Sequence, residues 1–370
     1  MLKIIEPTLV DVDDILDDLK KIFEKKVITS GNYVKKFEET VAKYIGVKYA
    51  VGVSSATTGL ILAIKALNLK GEIIVPSFTF TASVHSIIWN NIEPVFVDCE
   101  KDTYNIDPKK IESLITKKTS AIMPVYIFGN PPNILEISKI AKKYNLKLIF
   151  DSAQALGSTY MGKKAGNFKN VEVFSFSPTK VVTSIEGGIV TTNDEKIYKK
   201  LLSLRDYGKE KEDITSVGLS ARLSEIHALI GLKNMKYIEK NISHRQKMIN
   251  LYKEQLSNID GISFQKIEKK STTSGNYMVI FIDEKKTNKK INRDTLYKLL
   301  NDKNIQTKKY FYPAVHNQAA YKKYIKKYQN RLRVTKKASI SGLALPLYGH
   351  IKKDDVLTVC REIKKIFNYE

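Results

Sequence analysis

The sequence predicts an α/β protein: a large, mostly parallel sheet domain followed by a smaller α+β domain. Three observations predict this. Short apolar runs rich in Val, Ile and Phe alternate with helical patterns up to about residue 235. The runs are continuous rather than alternating, as strands buried on both faces are. From about residue 260 the chain changes style and the regular alternation stops.

In chain order, strands are expected over Tyr49–Ser54, Glu72–Pro76, Pro94–Asp98, Ala121–Ile127, Lys147–Asp151, Val171–Ser177 and Gly188–Thr192. Helix-like stretches lie between them at Thr58–Leu69, Thr81–Asn90, Pro108–Leu114 and Ile134–Tyr144. Strands separated by helices pair in parallel through right-handed crossovers. Ahead of them, the N-terminal residues run into an acidic, helix-like stretch. Leu223–Gln255 reads as one or two long helices. Then come strand-like Asn276–Ile282, a Lys/Asn-rich turn, helical Arg293–Lys303, a Tyr/Pro-rich stretch at Tyr310–Ala314 and a helical end from Lys353. These patterns divide the chain into a large domain, residues 1–245, and a smaller C-terminal one, residues 246–370. No internal repeat or low-complexity tail interrupts them.

Composition excludes several classes. The 370 residues are 43% hydrophobic and 27% charged, which is globular and not disordered. A chain of this length buries a core without staples. Cys99 and Cys360 form no CxxC and cannot make a disulfide scaffold, and five histidines without HExxH spacing argue against structural zinc. No run approaches the roughly 18 apolar residues of a membrane span, and the N-terminus lacks a signal-peptide core. The expectation is a cytoplasmic protein with no membrane partner. The formal charge of +23 invites a polyanionic partner such as nucleic acid. However, pairs such as Lys109-Lys110, Lys142-Lys143, Lys199-Lys200, Lys289-Lys290 and Lys352-Lys353 are short and scattered, without interleaved aromatics. That pattern favours a solvated basic surface and no nucleic-acid partner. Such a surface also attracts a diphosphate-bearing substrate.

In open α/β sheets, chemistry sits beyond the carboxyl ends of the strands. After the first strand, Ser55-Ala56-Thr57-Thr58-Gly59-Leu60 opens a helix, either as an anion site or as an ordinary cap. Asp151 ends a buried strand and is followed by small residues. It is either a ligand-facing carboxylate, suited to holding a proton on a heterocycle nitrogen, or a helix cap. Lys180 follows an apolar strand. Apolar surroundings favour a neutral, nucleophilic amine, although one lysine in so basic a chain is by itself unremarked surface. Glu186-Gly187-Gly188 marks a tight turn or close backbone packing. Together these residues match what pyridoxal 5'-phosphate (PLP) requires. It needs a Schiff-base lysine (Lys180), a carboxylate against the pyridine nitrogen (Asp151), an anion cradle (the helix start with Ser175) and a flat partner for the ring (Phe80).

Through these residues and the segments around them, the chain resembles the DegT/StrS-type sugar-nucleotide aminotransferases nearly end to end. The segments that carry the resemblance are Ile28-Thr29-Ser30-Gly31-Asn32-Tyr33-Val34 with Phe37-Glu38, Ser54–Leu60, Pro76-Ser77-Phe78-Thr79-Phe80, Asp151-Ser152-Ala153-Gln154-Ala155 with Gly157, Phe174–Lys180 and Glu186-Gly187-Gly188. Gly218–Glu225 and Tyr310-Phe311-Tyr312-Pro313 with His316 extend it. The resemblance implies the type I PLP-dependent transferase fold, an α/β/α sheet domain with a smaller C-terminal α+β domain, and a homodimer with shared active sites. It implies that Lys180 holds the cofactor and shuttles a proton. It further implies that Asp151 keeps the pyridine nitrogen protonated, Phe80 stacks on the ring and Gln154 lies near the ring hydroxyl. Ser55, Ala56, Thr57 and Ser175 would hold the phosphate. Ser220, standing where Asn is usual, and Arg222 would reach across the dimer. Tyr310, His316 and Glu186 would meet the sugar nucleotide. Val27 replaces a Trp, and Tyr126 a frequent His. The implied activity transfers the amino group of glutamate to a nucleoside-diphosphate-linked keto-6-deoxyhexose, dTDP-linked and aminated at C4 or C3, for O-antigen-type polysaccharide. Its rivals are a PLP-dependent sugar dehydratase of the same family, in which His replaces the lysine, a PLP-binding scaffold without turnover, and a basic nucleic-acid-binding protein.

Overall fold

The computed structural model describes residues 1–287 and 291–368. Lys289-Lys290 and part of the Lys/Asn-rich turn lie outside the described residues. The large sheet has seven strands: β1 (Tyr49–Val53), β2 (Glu72–Pro76), β3 (Glu93–Val97), β4 (Thr119–Ile122), β5 (Lys147–Asp151), β6 (Val171–Ser175) and β7 (Gly188–Thr192). Their order is β1-β7-β6-β5-β4-β2-β3, and only β7 runs against its neighbours. The mostly parallel sheet expected from the apolar runs is therefore present.

Both faces of the sheet are covered. Ile74, Val97, Phe150, Phe174 and Ile189 enter one apolar cluster, while Ile73, Phe96, Ile149, Val173 and Val190 enter another. Consecutive residues point to opposite faces of a strand, so a continuous apolar run supplies both layers. Helices α2 (Asn32–Ile45), α5 (Ile134–Lys143) and α7 (Glu225–Met235) pack on the first face. Helices α3 (Ala56–Ala66), α4 (Thr81–Trp89) and α6 (Glu195–Leu204) pack on the second. Ahead of them lies α1 (Asp13–Lys25), the acidic helix expected near the N-terminus.

A second sheet follows, with β8 (Ile262–Phe264), β9 (Met278–Ile282) and β10 (Gly342–Leu345) antiparallel and β9 in the centre. It packs with α8 (Ile238–Leu256), α9 (Arg293–Asp302) and α12 (Lys353–Phe367) in a third cluster, joined by Leu2 and Ile5 from the chain's start. Between β9 and β10 the chain also forms α10 (Lys322–Tyr328), whose Tyr324 and Tyr328 pack under the large sheet, and α11 (Arg333–Ser341). Asp98, just beyond β3, accepts the backbone N–H groups of Thr335 (2.8 Å) and Val334 (3.2 Å) in the first turn of α11. That carboxylate at a helix N-terminus ties the two sheets together.

Several elements differ from expectation. The strand expected over Ala121–Ile127 stops at Ile122, because Pro124 has no N–H for the ladder and the chain enters a 3-10 turn at Ile127–Gly129. The helix expected at Pro108–Leu114 is two 3-10 turns, Pro108–Lys110 and Glu112–Leu114, since seven residues offset α-helix nucleation poorly. Leu223–Gln255, expected as one or two helices, is two, α7 and α8. Helix α2 was not expected, although Val34, Phe37, Val41, Ala42 and Ile45 share its buried face.

Two of the motifs lock together here. The carboxylate of Glu225, 3% exposed, accepts the N–H groups of Gly31 (3.0 Å) and Val34 (2.9 Å) on Oε1 and of Tyr33 (2.9 Å) on Oε2. It caps α2 from a distant part of the chain, where the helix dipole favours an anion. Glu225→Ala leaves three donors bare in a buried site and is expected to lower unfolding free energy by about 2–4 kcal/mol. Urea unfolding checks this, and a variant within about 0.5 kcal/mol of the parent would refute the capping role.

Candidate active site

The carboxyl ends of β1, β6 and β5 and the start of the reversed strand β7 form one edge. Gly188 opens β7, opposite Val53 of β1 on one side and Ser175 of β6 on the other. Asp151 ends β5, opposite Val173 of β6. The expected phosphate residues and the expected carboxylate therefore sit on neighbouring strand ends.

Helix α3 begins beside Gly188. Ser55 is its N-cap: its Oγ accepts the Thr58 N–H, and the Thr58 hydroxyl lies 3.1 Å from the Ser55 N–H. A Cβ on Gly188 would meet Ala56 N at 2.6 Å and Ser55 O at 2.7 Å. The glycine thus permits the helix start to seat against β7. Within the described residues, the Ala56 and Thr57 N–H groups have no protein acceptor, and the Ser175 hydroxyl sits nearby on β6 with Ser177 for company. Free first-turn N–H groups beside hydroxyls suit a phosphate.

Asp151 is 5% exposed. Its Oδ2 accepts the Ser83 hydroxyl at 2.6 Å and its Oδ1 the Ala153 N–H at 3.1 Å. Burial pushes its carboxyl above the ordinary carboxylate range, while Ser83, Ala153 and the charge of Lys180 pull it back. Ser83, missed by sequence reasoning, does more: its Oγ also lies 3.2 Å from the carbonyl of Phe80. Phe80, the N-cap of α4, leaves 55% of its surface exposed at this edge. The Ser83 N–H also donates to the Phe80 carbonyl at 3.3 Å, so one residue of α4 touches both the buried carboxylate and the backbone of the half-exposed aromatic.

Lys180 lies in the loop between β6 and β7. Helices α7 and α8 grip that loop, with Asn234 Nδ2 donating to Thr183 O (2.8 Å) and Asn241 Nδ2 to Val181 O (3.4 Å). Lys180 Nζ stands 5.8 Å from the ring centre of Tyr277, just ahead of β9. Tyr277 in turn meets Tyr310 edge-on, their ring centres 4.9 Å apart. Tyr310 therefore lies in the shell around Lys180. Tyr277 gave no local sequence signal, because its partners are remote in the chain. The Gln154 side-chain oxygen accepts the Phe128 N–H at 3.0 Å, which fixes the segment after Asp151. Tyr126 is wholly buried and reaches Glu172 rather than the edge, at 3.3 Å.

Four further expected residues form no hydrogen bond or ion pair with Asp151 or Lys180 among the described residues. His316 is 2% exposed, and its Nδ1 lies 2.6 Å from the Ser77 hydroxyl. As placed it braces the end of β2 and does not offer a free imidazole to a cleft. Ser220 is exposed, opposite Asp206. Arg222 pairs with Asp206 at 2.8 Å, its guanidinium 5.6 Å from the ring centre of Tyr207. Glu186 is exposed at the start of the Gly-Gly turn.

The donor set suits PLP: free helix N–H groups with hydroxyls for a phosphate, a buried carboxylate for a pyridinium, an aromatic beside it and a lysine facing the carboxylate. The chain matches the DegT/DnrJ/EryC1/StrS aminotransferase family over residues 10–364 and belongs to it. It is 34% identical over 361 residues to an Escherichia coli dTDP-4-amino-4,6-dideoxy-D-glucose transaminase, covering 96% of each chain. It superposes with a TM-score of 0.92 on a crystal structure of DesI in the presence of its TDP-sugar product, at 31% identity, covering 99% of this chain and 93% of that one. A structure of NtdA from Bacillus subtilis with bound cofactor PMP aligns with a TM-score of 0.87 at 27% identity, covering 96% and 82%. The fold is that of PLP-dependent aminotransferases, and the protein is a PLP-dependent enzyme of that class.

His316 makes stability depend on pH. Burial lowers its pKa from 6.5 to about 4, against a small upward pull from Asp98. The folded state therefore holds the ring neutral. Its contribution is complete above the free value of 6.5 and is lost as pH falls through about 4. Urea midpoints taken across that window are expected to fall more steeply for the parent than for His316→Gln. Parallel curves would remove His316 as the titrating group.

Proposed function

We propose that this aminotransferase moves the amino group of glutamate, in a ping-pong cycle, to the keto carbon of a nucleoside-diphosphate-linked keto-6-deoxyhexose. The nucleotide is dTDP, the carbon C4 or C3, and the product serves O-antigen-type surface polysaccharide. The observation that carries this is the meeting of Lys180, buried Asp151 and the free N-terminus of α3 at one sheet edge. The E. coli transaminase and the DesI structure, whose names specify dTDP- and TDP-linked sugars, support the nucleotide. The residue roles and the division into a cofactor-holding domain, 1–245, and a smaller domain, 246–370, belong to the same reading. So does a cytoplasmic setting, with no nucleic-acid or membrane partner.

When bound, PLP supplies a protonated heterocycle that stabilises the electron pair left when a substrate carbon loses its proton. The chain supplies the rest. The amine of Lys180 holds the cofactor and moves a proton at the reacting carbon. The Asp151 carboxylate keeps the pyridine nitrogen protonated, and Ser83 keeps that carboxylate aimed. Phe80 covers a ring face. Ser55, Ala56, Thr57 and Ser175 bind the phosphate, and Gln154 lies near the ring hydroxyl. Tyr310 and Glu186 meet the sugar nucleotide.

The protein works as a homodimer. Ser220 and Arg222 complete the partner's site. Exposed apolar residues support this. Tyr207 and Leu219, joined by a backbone bond of 3.0 Å, and Val217, 80% exposed, adjoin those two residues.

Borohydride treatment of the PLP-loaded protein is expected to fix the cofactor on the peptide containing Lys180. Lys180→Ala should fold but lose the adduct and about 10²–10⁴-fold in turnover. Unaltered turnover would refute the role of Lys180. Asp151→Ala should bind PLP weakly and lose most turnover; parent-like kinetics would remove Asp151 from the mechanism. A panel of dTDP-, UDP- and GDP-linked keto-sugars with glutamate tests the substrate, and activity confined to GDP- or UDP-sugars would overturn the nucleotide assignment.

A further inference from the structure

We propose that Tyr277 is a positioning residue for Lys180: its ring receives the lysine's charged end, and its hydroxyl fixes the backbone from which the lysine springs. This rests on the role proposed for Lys180. Lysine carries about 2 kcal/mol of rotamer entropy, so a lysine that must return to one place needs a surface that holds it. Three features make Tyr277 that surface. Its ring centre is 5.8 Å from Lys180 Nζ, within cation–π range. Its hydroxyl donates to Thr179 Oγ1 at 3.2 Å, one residue before Lys180. Its ring is wedged edge-on between Tyr310 at 4.9 Å and Phe128 at 6.2 Å, which leaves it little freedom.

The surroundings of Tyr277 are unusually cationic. Lys180 and Lys308 act on it, and Lys308 Nζ stands 5.0 Å from the ring centre of Tyr310. The buried Arg245, whose NH1 is 3.4 Å from the Asn276 carbonyl, faces it from α8. Thr179 and Tyr310 are the neutral groups around it. Burial raises the Tyr277 phenol, but Lys180 first, then these hydroxyls and Lys308, bring it below the usual 10. Tyr310 moves the opposite way, raised by burial and by Tyr277. The positive charge of Lys180 thus acts directly on the Tyr277 phenol.

The linkage is measured on the apo-protein, where no cofactor contributes. Tyrosines labelled with ¹³C at Cζ are titrated by NMR in the parent, Tyr277→Phe and Lys180→Ala. One resonance is expected to titrate below 10, to vanish in Tyr277→Phe and to titrate higher in Lys180→Ala. A Tyr277 resonance that ignores Lys180→Ala overturns the proposal. In the PLP-loaded enzyme, Tyr277→Phe should still give the borohydride adduct at Lys180. Turnover should fall about 3–30-fold with KM for the sugar nucleotide unchanged, and Tyr277→Leu, which loses the ring, should fall further. Equal activity in all three would also overturn it. Should Tyr277→Phe fail to fold, Thr179→Val removes the same hydrogen bond: it is expected to reproduce the turnover loss while keeping a Tyr277 resonance that titrates higher than in the parent; parent-like turnover in it refutes the backbone-fixing role. A parent that forms no adduct at Lys180 refutes the role of Lys180 instead, and leaves the apo titration to judge Tyr277.

Discussion

A carboxylate buried at the end of a strand is the constraint around which this protein is arranged. Taking an ionised carboxylate out of water is very unfavourable unless hydrogen bonds and an opposite charge replace the water. Asp151 obtains all of these from different parts of the fold: Ala153 from its own turn, Ser83 from α4 and the charge of Lys180 from the loop after β6. Each donor depends on its element being in place. Helix α4 must follow β2 at the right height for Ser83 to reach across two strands. The loop carrying Lys180 must fold back over the edge, and Asn234 and Asn241 from two further helices hold it there.

The reversed strand is the second requirement. In a purely parallel sheet every strand brings its carboxyl end to the active edge and no strand start is available there. Because β7 runs the other way, its first residue lies among the ends of β1 and β6. That residue is Gly188, and the Cβ it lacks would collide with the first turn of α3. Strand reversal and a missing side chain together bring the free N–H groups of a helix within one strand's width of Ser175. Strand spacing is roughly 4.8 Å, so the anion cradle and the Asp151 carboxylate become parts of one small site.

Legibility in the sequence followed the range of the interactions. Strands β2, β5 and β7 were readable to the residue because a strand buried on both faces leaves a continuous apolar run. Asp151 and Lys180 were readable because strand ends are where an α/β sheet works, and local residues mark those ends. Contacts between distant segments were not readable. The Glu225 cap on α2, the Ser83 bond to Asp151 and the Tyr277 ring over Lys180 each join segments whose sequences carry no mark of one another. The segment Pro108–Leu114 had helical composition, but composition does not report whether enough residues follow to sustain an α-helix. His316 was legible as a residue type in a motif, whereas its burial against Ser77 came only with packing.

Two buried carboxyl groups on adjacent strands show how environment, not residue type, sets their chemistry. Asp151 on β5 and Glu172 on β6 are both raised by burial. Asp151 also faces a cation and a backbone N–H, which favour the charged form a pyridinium would need. Glu172 meets only the hydroxyls of Ser152 (2.8 Å) and Tyr126 (3.3 Å) beside backbone, and burial takes it up to about 7. Among the described residues no cation is paired with Glu172, whereas Asp151 faces the charge of Lys180 and is the one equipped to hold a proton on another molecule. Tyr126, which stands where the resembled family frequently has His, fits this division. A phenol brings no positive charge, so Tyr126 offsets the upward push of burial on Glu172 only through its hydrogen bond, whereas Asp151 has the charge of Lys180 acting on it.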